Sequence, residues 1–152
     1  MTKLVAGDVA PAFRLPDQDE APFELASLRG KQVVLYFYPK DATPGCTVEA
    51  CDFRDNFRRI AAKGAVVIGV SRDSAKSHRS FREKKSLPFP LLVDAEAEVC
   101  KLYGVWQLKK FMGREFMGIV RSTFLIDPKG LVARVWSPVS VKGHVEEVLA
   151  AL

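Results

Sequence analysis

Two cysteines five positions apart, Cys46 and Cys51, with Glu49 between them, stand at the head of a stretch with helical periodicity. The residues leading in are Pro39-Lys40-Asp41-Ala42-Thr43-Pro44-Gly45. Thiol chemistry is what this pattern can do. Thr43 is a good helix N-cap, and Pro44 suits the first helical position, where no backbone donor is needed. Cys46 then falls in the first turn, where unpaired N–H groups and the helix dipole favour a thiolate over a thiol. The thiolate is the nucleophile, and Gly45 carries no side chain to block a small substrate. From Cys46 the apolar residues Ala50, Phe53, Phe57, Ile60 and Ala61 run as one stripe, which turns the sulfur toward the protein body. Cys51 lies about 140° round the helix, beside Arg54, Asp55 and Arg58, on the more exposed side. In a regular helix the two Cα atoms are about 8.5 Å apart, and a disulfide needs less than about 7 Å. Pairing Cys46 with Cys51 therefore requires the first turns of the helix to unwind.

The elements that must hold these residues follow from the apolar pattern. Val33 to Tyr38 reads as a buried strand, 44–63 as a helix ended by Gly64, and Ala65 to Val70 as a second buried strand. That is a β-α-β unit, which implies a parallel pair with a right-handed crossover. Residues 1–30, with three prolines, suggest a small hairpin or arm over the core, and 26–30 one helical turn ended by Gly30. A helix over 74–85 has Ser74 as cap and Phe81 inward. A short strand at 91–93 and a helix over 95–103 follow. Residues 104–118 read as a loop with some strand character near the site, with core packing the default for Phe81, Trp106, Phe111 and Phe116. The strand 119–126, the turn Asp127-Pro128-Lys129-Gly130 and the strand 131–136 make a hairpin. A last helix spans 141–151, with Val145, Val148 and Leu149 inward.

Composition narrows the class. A chain of 152 residues, 48% apolar and 27% charged, fits one domain over 1–152 with a sizeable core. The net charge of +5 comes from 23 basic and 18 acidic residues, and the basic ones are scattered in short pairs such as Arg58-Arg59 and Lys84-Lys85. A solvated basic surface is expected, with no nucleic-acid or membrane partner. With no leader-like segment and no membrane-length apolar run, the expected compartment is the cytoplasm, where disulfides are transient and catalytic. His78 and His144 are not at metal-ligand spacing with any cysteine, so surface roles and no metal are expected. Cys100, between Val99 and Leu102, reads as core. No phosphate loop or dinucleotide fingerprint is present, so no bound cofactor is expected and electrons should come from another protein.

The stretch around Cys46 resembles the peroxiredoxin active site, whose pattern Pro-x-x-x-Thr-x-x-Cys is met by Pro39, Thr43 and Cys46. The cysteine five residues on points to the bacterioferritin comigratory protein, or peroxiredoxin Q, branch. Residues 69–74, Lys76-Ser77-His78, Phe89-Pro90-Leu91-Leu92 and Arg121-Ser122-Thr123-Phe124-Leu125-Ile126-Asp127 resemble that branch in the same order. The resemblance implies an α/β thioredoxin-like fold: a central mixed sheet flanked by helices, with an N-terminal extension. It implies a thiol peroxidase acting on hydrogen peroxide and organic hydroperoxides. Cys46 would be the peroxidatic nucleophile, and Cys51 the resolving thiol that closes an intramolecular disulfide reduced by thioredoxin or a similar dithiol protein. Against that, Cys51 is a bystander if an outside thiol does the resolving. The resemblance maps Arg121 onto the family's active-site arginine and gives the Thr43 hydroxyl a role toward the thiolate or peroxide beside its role as cap. Pro39 would close the strand and shield the pocket. Glu49 either pairs with Arg121 or is an ordinary helix-start carboxylate. With no cysteine beyond position 100, resolution within one chain and a monomer are expected, a dimer being the alternative. Two other activities fit the same cysteines: a thiol–disulfide oxidoreductase on the same fold, although such enzymes use Cys-x-x-Cys, and a non-enzymatic peroxide sensor.

Overall fold

The computed structural model describes residues 3–152. Near its start, β1 (Arg14–Pro16) and β2 (Pro22–Glu24) pair antiparallel, and a 3-10 turn over Leu25–Leu28 follows. This is the expected small hairpin lying over the core. The apolar run then becomes β3 (Gln32–Phe37), which pairs parallel with β4 (Ala65–Ser71) in the register Leu35↔Ile68. Between them lies the helix that carries both cysteines. It is broken where one long helix was expected: α1 covers Pro44–Asp55 and α2 covers Phe57–Ala62. The residue at the break is Asn56, whose amide donates to the Asp52 carbonyl at 2.9 Å. Asparagine competes in this way with the regular helical ladder. Gly64 ends α2 at φ +76°, as its position predicts.

The helix α3 (Ala75–Lys84) starts on a true side-chain cap, the Ser74 hydroxyl accepting from the Ser77 N–H. It leads to β5 (Leu91–Val93), parallel to β4. The next helix, α4, is shorter than expected, Glu98–Leu102, because Ala97 before it is left-handed at φ +57°. Residues 104–118 are not a loop. They are most of a separate antiparallel hairpin, β6 (Trp106–Phe111) with β7 (Arg114–Ile119). Core packing holds for Phe81 but not for Phe111 and Phe116, which are 67% and 47% exposed on that hairpin. The expected strand 119–126 is interrupted as well. Val120 and Arg121 lie between β7 and β8 (Ser122–Ile126), where the chain changes pairing partner. Then come β9 (Val132–Trp136), as expected, and α5 (His144–Ala151), which starts three residues later than expected, after Gly143 at φ +76°.

The main sheet has the order β5-β4-β3-β8-β9, with β8 and β9 antiparallel to their neighbours. Alternate residues of the central strands feed two cores. Val33, Leu35 and Phe37 face one, closed by the N-terminal arm and by Val99, Cys100 and Tyr103. Val34, Tyr36 and Tyr38 face the other, closed by Cys46, Ala50 and Phe53 of α1, Ile60 of α2, Phe81 of α3 and Val148 of α5. Each fully buried aromatic or large aliphatic side chain there contributes about 1.5–3 kcal/mol. Cys46 therefore sits on the inner face of α1, at the C-terminal end of the central strand.

Candidate active site

Tyr38 still bonds the Val70 carbonyl at 3.1 Å, and Pro39, with no N–H, ends the β3 ladder. The loop then turns through Ala42, at φ +60°, into Thr43. Thr43 has the extended backbone of an N-cap, φ −78° and ψ 156°, and Pro44 holds the first helical position. The side-chain cap is absent: the Thr43 hydroxyl donates to the Lys40 carbonyl at 2.8 Å and bonds neither the helix N–H groups nor the sulfur. The hydroxyl instead ties the loop to the helix start.

Cys46 is buried, 2% exposed. Its Sγ accepts a hydrogen bond from Arg121 Nη2 at 3.2 Å, and Nη1 of the same guanidinium donates to Glu49 Oε1 at 2.7 Å. One planar cation thus bridges the sulfur and a carboxylate one helical turn further on. Arg121 reaches in from the crossing between β7 and β8, where its carbonyl accepts from the Val139 N–H at 2.8 Å. It is not the edge residue its place beside an apolar strand could have made it. Gly45 makes room: a Cβ there would lie 3.2 Å from Arg121 Nη2. Burial pulls the Arg121 guanidinium down, but Glu49 and Cys46 outweigh it and hold it above its ordinary value. Glu49 has no exposed surface. Burial pushes its carboxyl up to about 7, against the opposing pull of Arg121.

The second oxygen of Glu49 and the hydroxyl of Tyr36 are buried without a protein partner beside this cluster. Tyr36 stacks on Phe53 at 4.8 Å, and its phenol is pushed up by burial, then by the charges of Glu49 and Cys46. Lys109 of β6 also feels the site. Burial and then Arg121 lower its ammonium, while Cys46 raises it. The hairpin therefore carries a further cation that the charges of the site act on, which the sequence did not indicate.

Cys46 and Cys51 are both free thiols on an intact helix, and Cys51 is half-buried. Cys100 is buried as expected, its thiol pushed up by burial and by Asp94.

The two histidines contradict their expected surface placement. His78 is 0% exposed, with Nδ1 2.7 Å from Asp41 Oδ2 and Nε2 2.8 Å from the Leu92 carbonyl. His144 is 2% exposed, pairs with Thr123 Oγ1 at 2.8 Å and packs against Phe53 and Trp136; burial lowers it to about 4. A signal for His78 was present in the sequence, since it shares a helical face with Phe81 three residues on. Asp41, Asp73 and His78 are the one group among the described residues whose ligand atoms lie close enough for a metal, within 4.8 Å of one another. Their atoms are engaged in hydrogen bonds with each other and with Tyr38, Ser71 and Ser77. No helix among the described residues is long and apolar enough to cross a membrane.

Residues 6–135 match the AhpC/TSA family. The chain is 50% identical to a putative peroxiredoxin bcp of Coxiella burnetii over 98% of its length and 99% of that protein's. It is 51% identical to peroxiredoxin Bcp of Bacillus subtilis, covering 96% of this chain and 93% of the other. Among solved structures, a cysteine-to-serine variant of Xylella fastidiosa PrxQ superposes with a TM-score of 0.93 at 38% identity, covering 99% of this chain and 96% of that one. The bacterioferritin comigratory protein of Xanthomonas campestris, studied for alkyl peroxide reduction, gives a TM-score of 0.87 at 41% identity, covering 91% and 88%. The thioredoxin-like α/β fold is shared with both.

Proposed function

This chain belongs to the AhpC/TSA family and is a thiol-dependent peroxidase of the peroxiredoxin Q kind, and on that premise we propose how its own residues divide the reaction. Cys46 is the attacking thiolate. Its sulfur bonds to the distal peroxide oxygen, the O–O bond breaks, and the leaving oxygen departs as water or an alcohol once protonated, leaving a sulfenic acid. Arg121 supports both ends of this step. It stabilises the thiolate beforehand and meets the charge that develops on the peroxide oxygens. Glu49 orients the guanidinium, while Thr43 and Pro39 shape the loop at the helix head. The single observation that carries this reading is the Arg121 bridge between Sγ at 3.2 Å and Glu49 at 2.7 Å, at the first turn of a helix.

Cys51 then attacks the sulfenic sulfur, releasing water and closing a disulfide within one chain. The helix must unwind for this. A dithiol protein such as thioredoxin returns the two electrons. We assign hydrogen peroxide and organic hydroperoxides as substrates, the cytoplasm as the compartment, and a one-domain monomer as the working unit.

The experiment is a peptide map with intact mass after one equivalent of hydrogen peroxide without reductant. A Cys46–Cys51 linkage is expected. Oxidised Cys46 with Cys51 still a thiol would move resolution to Cys100 or an outside thiol. No oxidation of Cys46 would overturn its assignment as the nucleophile.

A further inference from the structure

We infer that His78 is a positioning residue for the peroxide reaction: paired with Asp41, it anchors the loop that presents Cys46, without itself touching the sulfur. The inference rests on Cys46 being the attacking thiol, and it goes beyond that reading.

Asp41 lies five residues before Cys46, in the loop between β3 and α1. Its side chain is 3% exposed and faces the fully buried His78. The Leu92 carbonyl can only accept, so Nε2 of His78 carries a proton. A carboxylate can also only accept, so the proton between Nδ1 and Asp41 Oδ2 belongs to the pair and fixes the ring in one orientation. Asp41 takes two more donors, the Tyr38 hydroxyl on Oδ1 at 2.5 Å and the Ser77 hydroxyl on Oδ2 at 2.8 Å. Its backbone N–H is held by Asp73 Oδ2 at 2.9 Å, and that oxygen also accepts from the Ser71 hydroxyl at 2.6 Å. One loop residue is thereby tied to the end of β3, the end of β4, the first turn of α3 and, through His78, to β5.

The residue after this anchor is Ala42, in the left-handed region. Such a conformation persists only when its surroundings over-determine it. Here the anchor supplies that on one side and the Thr43 hydroxyl, bonded to the Lys40 carbonyl, on the other. The turn at Ala42 sets where Thr43 and Pro44 begin α1, and so where Cys46 meets Arg121. The network bonds none of the atoms of Cys46, Glu49 or Arg121, so its effect on the reaction is positional.

The test compares the reduced wild type with Asp41→Ala, Asp41→Asn, His78→Phe and Ser77→Ala, each held well below its melting midpoint. Two rates are read at one pH: oxidation of Cys46 by hydrogen peroxide and alkylation of Cys46 by iodoacetamide. Misplacing the thiolate relative to Arg121 lowers the peroxide rate by about 10- to 100-fold in Asp41→Ala and His78→Phe. Alkylation needs the thiolate that Arg121 stabilises but no aligned O–O bond, so it falls less than the peroxide rate. Asp41→Asn keeps an acceptor for the ring and recovers most of the rate, whereas Ser77→Ala, which removes one donor, loses a few-fold. Folded Asp41→Ala and His78→Phe proteins with the wild-type peroxide rate would overturn the inference. So would equal losses in both rates, or an Asp41→Asn protein no better than Asp41→Ala. If those two variants do not fold, Ser77→Ala decides: a wild-type peroxide rate overturns the anchor, and a selective loss supports it. A wild type whose Cys46 resists peroxide would instead sink the reading of Cys46, a separate failure.

Discussion

Replacing Arg121 with leucine removes the cation that bridges Cys46 and Glu49. Nη2 lies 3.2 Å from the sulfur and Nη1 2.7 Å from the carboxylate, with the Arg121 side chain only 16% exposed. At an effective dielectric of about 20, a unit charge at that distance from the sulfur is worth about 5 kcal/mol before desolvation is subtracted. Donors aimed at developing charge lose about 2.7–4 kcal/mol when deleted, or about 100- to 1,000-fold in rate. Arg121→Leu should therefore slow peroxide oxidation of Cys46 by about 100- to 1,000-fold. Arg121→Lys should recover only part of this, because a single ammonium cannot span both partners as the planar fork does. The assay is stopped-flow oxidation of the reduced protein by hydrogen peroxide, with Cys46 followed by quenching and mass spectrometry. The double variant Arg121→Leu/Glu49→Gln separates the cation's effect on the sulfur from the damage of stranding a buried carboxylate. An Arg121→Leu protein that folds and reacts within a few-fold of wild type would refute the reasoning.

Two buried groups give opposed pH dependences. Glu49 is raised from 4.5 to about 7 in the folded protein, so the folded state holds its proton more tightly and stability falls as pH rises from 4.5 through 7. His144 is lowered from 6.5 to about 4, so its contribution is lost as pH falls from 6.5 through 4. Each is worth about 3 kcal/mol at 1.36 kcal/mol per pH unit. Glu49→Gln should therefore gain stability relative to wild type as pH rises to 7, and His144→Phe should gain relative to wild type as pH falls, both read from urea midpoints. Cys51→Ser should leave the first oxidation of Cys46 unchanged but stop at sulfenic or sulfinic acid, seen by intact mass; a normal disulfide would remove Cys51 from the cycle. Gly45→Ala places a methyl 3.2 Å from Arg121 Nη2 and should slow the peroxide step several-fold by displacing the guanidinium; an unchanged rate would show that the fork yields without loss.

The chemistry of the site was largely legible because it is local. A cap residue, a proline and a cysteine at helix-start spacing place Cys46 with no knowledge of the rest of the chain. The stripe from Ala50 to Ile60 turns it inward. Arg121 was legible through the resemblance, and its partner Glu49 through one turn of helix. What escaped depends on contacts between distant residues. His78 and His144 look like surface residues until Asp41, Leu92 and Thr123 are seen to satisfy them. The hairpin of β6 and β7 reads in the sequence as a loop with only some strand character, because both its faces carry polar and exposed apolar residues. Alternation is legible in a strand only when one face is buried. The break at Asn56 has a similar cause, since a single side-chain amide bonded to Asp52 divides a stripe that is otherwise continuous.

That break sets a limit on how far disorder can spread. Both cysteines lie in α1, upstream of Phe53, which is fully buried against Tyr36, and of Arg54, whose guanidinium grips the Lys85 carbonyl at 2.7 Å. Melting α1 from its N-terminus to bring the two sulfurs together meets that clamp before it reaches Asn56. The ladder of α2 then begins afresh on the other side. On the proposed Cys46–Cys51 pairing the redox cycle thus has a fuse of fixed length: the melting would be confined to the turns before Phe53, and Cys46 and Ala50 would leave the core they close. On reduction the melted turns of that proposed cycle would regrow from the clamped end by propagation, without the slow step of starting a helix anew.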